Sequence, residues 1–291
     1  MGAAGVSAGT GDTVIQTRRA RLPLACRVAA RYFYLEEKSM VHFVGAGPGA
    51  PDLITLRGQQ LLKEAGQVIY AGSLVNPELL QNCRADCRIL DSARMTLEEV
   101  IAAILRAESE GLVTVRLHTG DPSVFGAIRE QMAELDRHNV PYDVTPGVSS
   151  FCAAAAALNA EYTLPGVSQS LILTRMAGRT PVPDKENMAA MASHGCSMAL
   201  FLSAGMAEAL QAELLYGAYT PETPAAIVYK ASWPEEKVFR CTVGTLAECA
   251  RENSITKTAL LLVGDFLGNL RERSKLYDPG FTTGYRKGTD A

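Results

Sequence analysis

The chain has 291 residues, 47% hydrophobic and 20% charged, with a net charge of −3 at neutral pH. That length fits one large domain or two ordinary ones, and the composition is that of a globular protein. The slightly acidic balance speaks against broad nucleic-acid binding, which needs a basic face, and no apolar run reaches the ~18 residues of a membrane-spanning helix.

Seven cysteines, an odd number in a long chain, do not make a disulfide framework. Cys83 and Cys87 form one C-x3-C pair, but no second pair comes after it at zinc-site spacing. His42, His118, His138 and His194 are scattered. No metal site is expected, and reduced structural thiols point to the cytoplasm.

Residues 1–39 differ from the rest of the chain, with Arg18, Arg19, Arg21, Arg27 and Arg31 and few acids. They read either as an Arg-rich targeting segment or as an N-terminal extension without fixed structure, ahead of a functional start at Met40. Both readings set the segment apart from the fold.

From Met40 onward short apolar runs alternate with helical patterns. "VHFVGAG" reads as a strand entering a glycine turn. "LITLRGQQLLKEA" places Leu53, Leu56, Leu61, Leu62 and Ala65 at helical spacing. "QVIYAG" is a second strand. "TLEEVIAAILRAESEG" is a helix with a capping box at Thr96 and Glu99 and a stop at Gly111. "LVTVRL" is a third strand, a helix covers residues 127–138, "YDVTPG" is a fourth strand and "SSFCAAAAALN" the helix after it. This alternation predicts a mainly parallel sheet covered by helices over residues 40–160.

The pattern changes after "EYTLPGVS", at residues 161–168. "SLILTR" and "MALFLS" are strands separated by a polar, Pro-containing loop, and "GMAEALQAELLYG" is a helix. "AAIVYKA" and "KVFRCTV" lie five residues apart, which predicts an antiparallel pair. A helix near Leu246–Glu252 and the strand "ALLLVG" complete a second α/β domain with a mixed sheet, residues 168–275, and a tail covers 276–291. The fold class is therefore α/β, with two α/β domains.

Gly45, Gly47 and Ala50 satisfy G-x-G-x-x-A, a dinucleotide-binding fingerprint. That motif also needs an acid at the end of the second strand to hold a ribose. Here the strand ends in Gly72, Ser73 and Leu74, and Pro48 removes an amide donor from the loop. The nicotinamide reading is weak. "HTGDPSVFG" is the better candidate, because it lies at the carboxyl end of a parallel strand, where open α/β sheets bind ligands. Gly120 allows close backbone approach, and Asp121 suits a cationic ligand better than a phosphate; the bland alternative is an Asp that caps a turn.

"VGAGPGAPDLITLRG", "HTGDPSVFG", "VTPGVSSFCAAAAAL" and "LILTR", in this order, resemble the S-adenosylmethionine-dependent tetrapyrrole methylases. The likeness runs from Met40 to Gly288. It implies two domains forming the tetrapyrrole methylase fold, a cleft between them and a homodimer. It also implies methyl transfer from S-adenosyl-L-methionine to C11 of precorrin-4 or cobalt-precorrin-4 in cobalamin biosynthesis. Carried over motif by motif, the cofactor would meet Thr119, Gly120, Asp121, Val124, Ser149, Ser150, Leu202, Ser203 and Ala231. The glycine turn, Gly45, Gly47, Pro48 and Gly49, would line the tetrapyrrole side. Arg57, Arg94, Arg129, Arg175 and Arg179 are the candidates for the substrate's carboxylates. His118 is the candidate base, against the plainer reading of a hydrogen-bonded histidine at a strand end. Alternatives are methylation at another macrocycle carbon, an RNA-methylating relative, a dehydrogenase, and a tetrapyrrole-binding module without catalysis.

Overall fold

The computed structural model describes residues 40–268, 272 and 274–289; the N-terminal extension lies outside them. Two five-stranded sheets succeed one another along the chain. The first is built from β1 (Val41–Gly45), β2 (Gln67–Tyr70), β3 (Arg88–Asp91), β4 (Thr114–His118) and β5 (Tyr142–Thr145), with helices α1 (Leu56–Glu64), α2 (Leu97–Ser109) and α3 (Ile128–Arg137) between them. All its pairings are parallel, in the order β3-β2-β4-β1-β5.

Alternation along the strands gives this sheet two apolar faces. Val41, Phe43 and Ile69 pack with Val100, Ile101 and Ile104 of α2 and with Met132 and Leu135 of α3. Val44, Val68, Val115 and Leu117 pack on the other face against Leu62 of α1. Arg116 and His118 alternate with the second set, so they lie on the α2/α3 face; the rings of Phe43 and His118 are 6.0 Å apart. The crossovers after β1 and β4 thus leave neighbouring strands on opposite faces. Such a switch point is the usual ligand crevice of an open parallel sheet.

The second sheet contains β6 (Leu171–Arg175), β7 (Ser197–Phe201), β8 (Pro224–Tyr229), β9 (Lys237–Thr242) and β10 (Ala259–Val263), in the order β6-β7-β10-β8-β9. β6 and β7 are parallel and the other pairings antiparallel, so the sheet is mixed, as expected. Helices α5 (Met188–Ala192), α6 (Ala207–Tyr216) and α7 (Leu246–Glu252) cover one face. The other face receives α4 (Ser150–Leu158), which comes after the last strand of the first sheet; its Ala153, Ala154, Ala155 and Leu158 pack on Ala199, Ala226 and Leu262. Small side chains let this helix lie close to the strands. Asn159 ends it in the left-handed conformation at φ 50°, and Arg240 of β9 donates to the Leu158 carbonyl at 2.9 Å.

The structure differs from the periodicity in three places. α1 begins at Leu56 with Thr55 as its cap, and residues 51–53 form a separate 3-10 turn; Leu56 is 87% exposed. β3 and the five-residue α5 are additional elements.

Candidate active site

The glycine turn does not form a phosphate cradle, because other protein groups take its donors. Ala46 donates to the His118 carbonyl at 2.7 Å, and Gly47 and Gly120 exchange backbone hydrogen bonds of 3.2 and 2.8 Å. Ala50 donates to Ser232 Oγ, and the Pro48 carbonyl accepts from Trp233 Nε1, both at 3.0 Å. The glycines serve close packing: a Cβ on Gly45 would stand 2.5 Å from Gly147, and one on Gly49 would stand 2.1 Å from the Trp233 ring. The turn is therefore sealed against the β4 loop and clasped by the segment after β8.

Beside it lies a cavity of about 580 Å³. The loops after all five strands of the first sheet reach its wall: Pro48 after β1, Ala71 and Leu74 after β2, Ser92 and Met95 after β3, Thr119, Gly120, Asp121 and Val124 to Ala127 after β4, and Ser149 after β5. The second sheet contributes Phe201 and Leu202 after β7, Lys230, Ala231 and Trp233 after β8, and Thr256–Leu260. Phe125 and Phe201 connect the two sides, with ring centroids 5.2 Å apart. Phe125, Ala127, Leu202, Lys230 and Thr258 line the cavity with φ between 46° and 56°. Left-handed backbone at non-glycine residues costs about 1–3 kcal/mol each and persists where the surroundings enforce it, commonly at ligand sites.

At the end of β4, Asp121 accepts from the Ser123 amide at 2.8 Å, from the Ser123 hydroxyl, and from the Gly147 amide at 2.9 Å. Partial burial opposes its ionisation, but these hydrogen bonds prevail and hold the carboxyl below its usual pKa. The residue both caps its turn and presents a negative charge to the cavity, so the two readings of the sequence coexist. His118 is 3% exposed, and burial, helped by the charge of Arg116, lowers its pKa to about 3. Its Nε2 and the buried Thr119 Oγ1 have no hydrogen-bond partner among the described residues. Both residues border the cavity, with these two atoms lying beneath its surface.

The structure brings His118, Thr119, Gly120, Asp121, Val124, Ser149, Ser150, Leu202 and Ala231 to one wall system, with Pro48. Ser203 lies behind it, fully buried, accepting from the Met176 amide and donating to the Phe201 carbonyl, where it supports the Leu202 turn. Gly45, Gly47 and Gly49 are buried against protein rather than on the cavity wall. The five arginines do not line it either. Arg175 ties down its own loop through the carbonyls of Met176, Thr180 and Pro181, and Arg57, Arg94, Arg129 and Arg179 are exposed elsewhere. Among the described residues, the cations that do reach the cavity are Arg116, Lys230 and Lys257. Arg116 was legible as the charged residue inside the apolar strand "TVRLH"; no comparable signal marks the lysines.

Among the described residues, no group of three or more His, Cys, Asp and Glu is placed to hold a metal ion, and no helix is long and apolar enough to cross a membrane. Cys83 and Cys87 pack beneath the first sheet, where burial and the neighbouring Cys87 raise the Cys83 thiol to about 11.

Two unlike α/β sheets enclosing a cleft at the carboxyl edge of the parallel one define a small-molecule enzyme of the two-sheet α/β class. The model of the tetrapyrrole (corrin/porphyrin) methylases matches residues 40–247, and the chain belongs to that family. It is 47% identical over 254 residues to the cobalt-precorrin-4 C(11)-methyltransferase of Methanocaldococcus jannaschii, covering 87% of this chain and 98% of that one. It is also 47% identical over 251 residues to the precorrin-4 C(11)-methyltransferase of Sinorhizobium sp., covering 84% and 98%. A solved cobalt precorrin-4 methyltransferase of cobalamin biosynthesis superposes with a TM-score of 0.77 at 44% identity, over 79% of this chain and 96% of that one. The Thermus thermophilus uroporphyrin-III C-methyltransferase complexed with S-adenyl homocysteine superposes at 0.67 with 29% identity, over 79% and 99%.

Proposed function

We propose that this chain transfers a methyl group from S-adenosyl-L-methionine to C11 of precorrin-4, or of its cobalt-containing form, in cobalamin biosynthesis. The observation that carries this reading is the end of β4, where an ionised Asp121, a neutral His118 and Thr119 border one cavity in a chain similar to precorrin-4 methylases along almost their whole length.

S-Adenosylmethionine supplies an electrophilic methyl group on a cationic sulfonium. Thr119, Gly120, Asp121, Val124, Ser149, Ser150, Leu202 and Ala231 would hold it, and the residues fit such a cation. Asp121 contributes an attractive negative field. His118 stays uncharged at neutral pH, so it does not oppose that field. A histidine with a pKa near 3 is a poor proton acceptor at neutral pH, so we assign it to orientation rather than to general-base catalysis. The apolar parts of the wall exclude water, and holding donor and acceptor in line can contribute roughly 7–11 kcal/mol in favourable cases.

Incubation with precorrin-4 and methyl-13C-labelled donor, with NMR on the product, should place the label at C11; a label at another carbon overturns the assignment. A parallel incubation with cobalt-precorrin-4 identifies the preferred substrate. Asp121→Asn keeps the side chain's size and removes its charge, so affinity for S-adenosylmethionine should fall at least tenfold by calorimetry, and by more than affinity for S-adenosylhomocysteine, whose sulfur is uncharged. Affinity within twofold of wild type would refute the electrostatic role.

Family membership supports a homodimer, which light scattering would read as twice the chain mass. It also supports a division into domains at 40–160 and 168–275, with 276–291 as a tail. A cytoplasmic enzyme suits the six described cysteines, all free thiols.

A further inference from the structure

Methyl transfer by these residues leaves one buried charge unused. Arg116 on β4 is 6% exposed, and no carboxylate pairs with it among the described residues. Its Nε donates to Gln131 Oε1 and one Nη donates to the Ile69 carbonyl, each at 2.9 Å; the other Nη has no partner among the described residues. Burial lowers its pKa only to about 10, so the guanidinium remains charged at neutral pH. A buried cation without a counter-charge is costly, and an apolar side chain of similar volume would join β4 to α3 without that cost.

Its surroundings explain why it is kept. Arg116 and Gln131 line the cavity, and so do the apolar Met95 and Val100, which pack on the same α2/α3 face of the sheet. Gln131 is 5% exposed, and its amide nitrogen donates to the Ala127 carbonyl at 3.0 Å, which fixes its oxygen toward Arg116. The result is an oriented guanidinium on a cavity wall that also carries apolar side chains, an arrangement suited to a short apolar arm ending in a carboxylate.

We propose that Arg116 binds a carboxylate of the bound ligand inside this cavity. Given the methylase reading on which this rests, the carboxylate comes either from an acetate or propionate arm of the macrocycle or from the amino-acid part of the methyl donor. One buried strand arginine thereby takes the role expected of the five arginines, none of which lines the cavity.

Gln131→Glu is the decisive variant, because it places an internal carboxylate on the guanidinium while keeping side-chain volume. Calorimetric titrations with S-adenosylhomocysteine, with 5′-methylthioadenosine, which lacks the carboxylate, and with precorrin-4 separate the two sources. If the donor supplies the carboxylate, Gln131→Glu weakens S-adenosylhomocysteine at least tenfold and leaves 5′-methylthioadenosine unchanged. If the macrocycle supplies it, precorrin-4 weakens at least tenfold and S-adenosylhomocysteine does not. Arg116→Gln should reproduce the loss and Arg116→Lys should recover part of it; these variants decide the matter should Gln131→Glu fail to fold. Affinities within twofold of wild type for both carboxylate ligands, in a folded variant, overturn the role of Arg116 and leave the methylase reading intact. Wild-type protein that binds neither S-adenosylhomocysteine nor precorrin-4 overturns both.

Discussion

His118 and Asp121 are three residues apart and are governed by opposite forces. Burial dominates at His118 and removes its charge, whereas hydrogen bonds dominate at Asp121 and preserve it. The histidine has a consequence for stability. Its native pKa of about 3 lies below the ordinary 6.5, so as pH falls through that window the unfolded chain takes up a proton that the native state refuses. Stability contributed by the neutral imidazole is present above pH 6.5 and is lost progressively below it, at up to about 1.4 kcal/mol per pH unit. In His118→Asn, unfolding free energies from urea titrations should depend less on pH between 6.5 and 4; equal slopes in variant and wild type would refute this. The positions of Thr119, Gly120 and Asp121 were legible in "HTGDPSVFG", because a glycine and an acid at a strand end have few uses. That the same carboxylate also pins the Gly147 amide was not legible, since the contact spans 26 residues.

The elements were most readable where local chemistry alone defines them. The Thr96–Glu99 capping box is present in both directions, with Thr96 Oγ1 accepting from the Glu99 amide and Glu99 accepting from the Thr96 amide. Thr96→Ala should therefore destabilise the protein by about 1 kcal/mol, read as a lower urea midpoint, and Thr96→Ser should restore most of it; an unchanged midpoint in the alanine variant would show that α2 does not need its cap. β3 was not legible because it is an edge strand whose residues "RILD" are mostly exposed, so no apolar alternation marks it. α5 is too short to show a period. The periodicity misplaces the start of α1 because Leu53 matches the helical spacing, yet Pro51 opens a separate turn and the cap belongs to Thr55.

For the whole molecule, the decisive contacts are between segments far apart in sequence. Trp233 lies 185 residues from Pro48, and its indole donates to that carbonyl while the ring covers Gly49 and receives Lys230 at 5.2 Å from its centroid. The chain has no other tryptophan, and this one also borders the cavity. Its emission should change saturably as S-adenosylhomocysteine is added, with the same dissociation constant as calorimetry; emission indifferent to the ligand would separate the clasp from the site. The sequence revealed two α/β halves through their change of strand pattern. It could not reveal which cations meet in the cleft, because surface arginines and a buried strand arginine look alike until the strand's two faces are known.

The paired hydrogen bonds between Gly47 and Gly120 bear on how this scaffold could be reused. They close the switch point between β1 and β4 with the protein's own backbone, so the cavity opens to one side of it. Introducing an acid at the end of β2 would complete the dinucleotide motif on paper, but a pyrophosphate would still have to displace two main-chain partners from each other. Conversion to nucleotide binding would have to begin by parting those two loops, and glycine spacing alone is a poor guide to which members of this architecture could make the change.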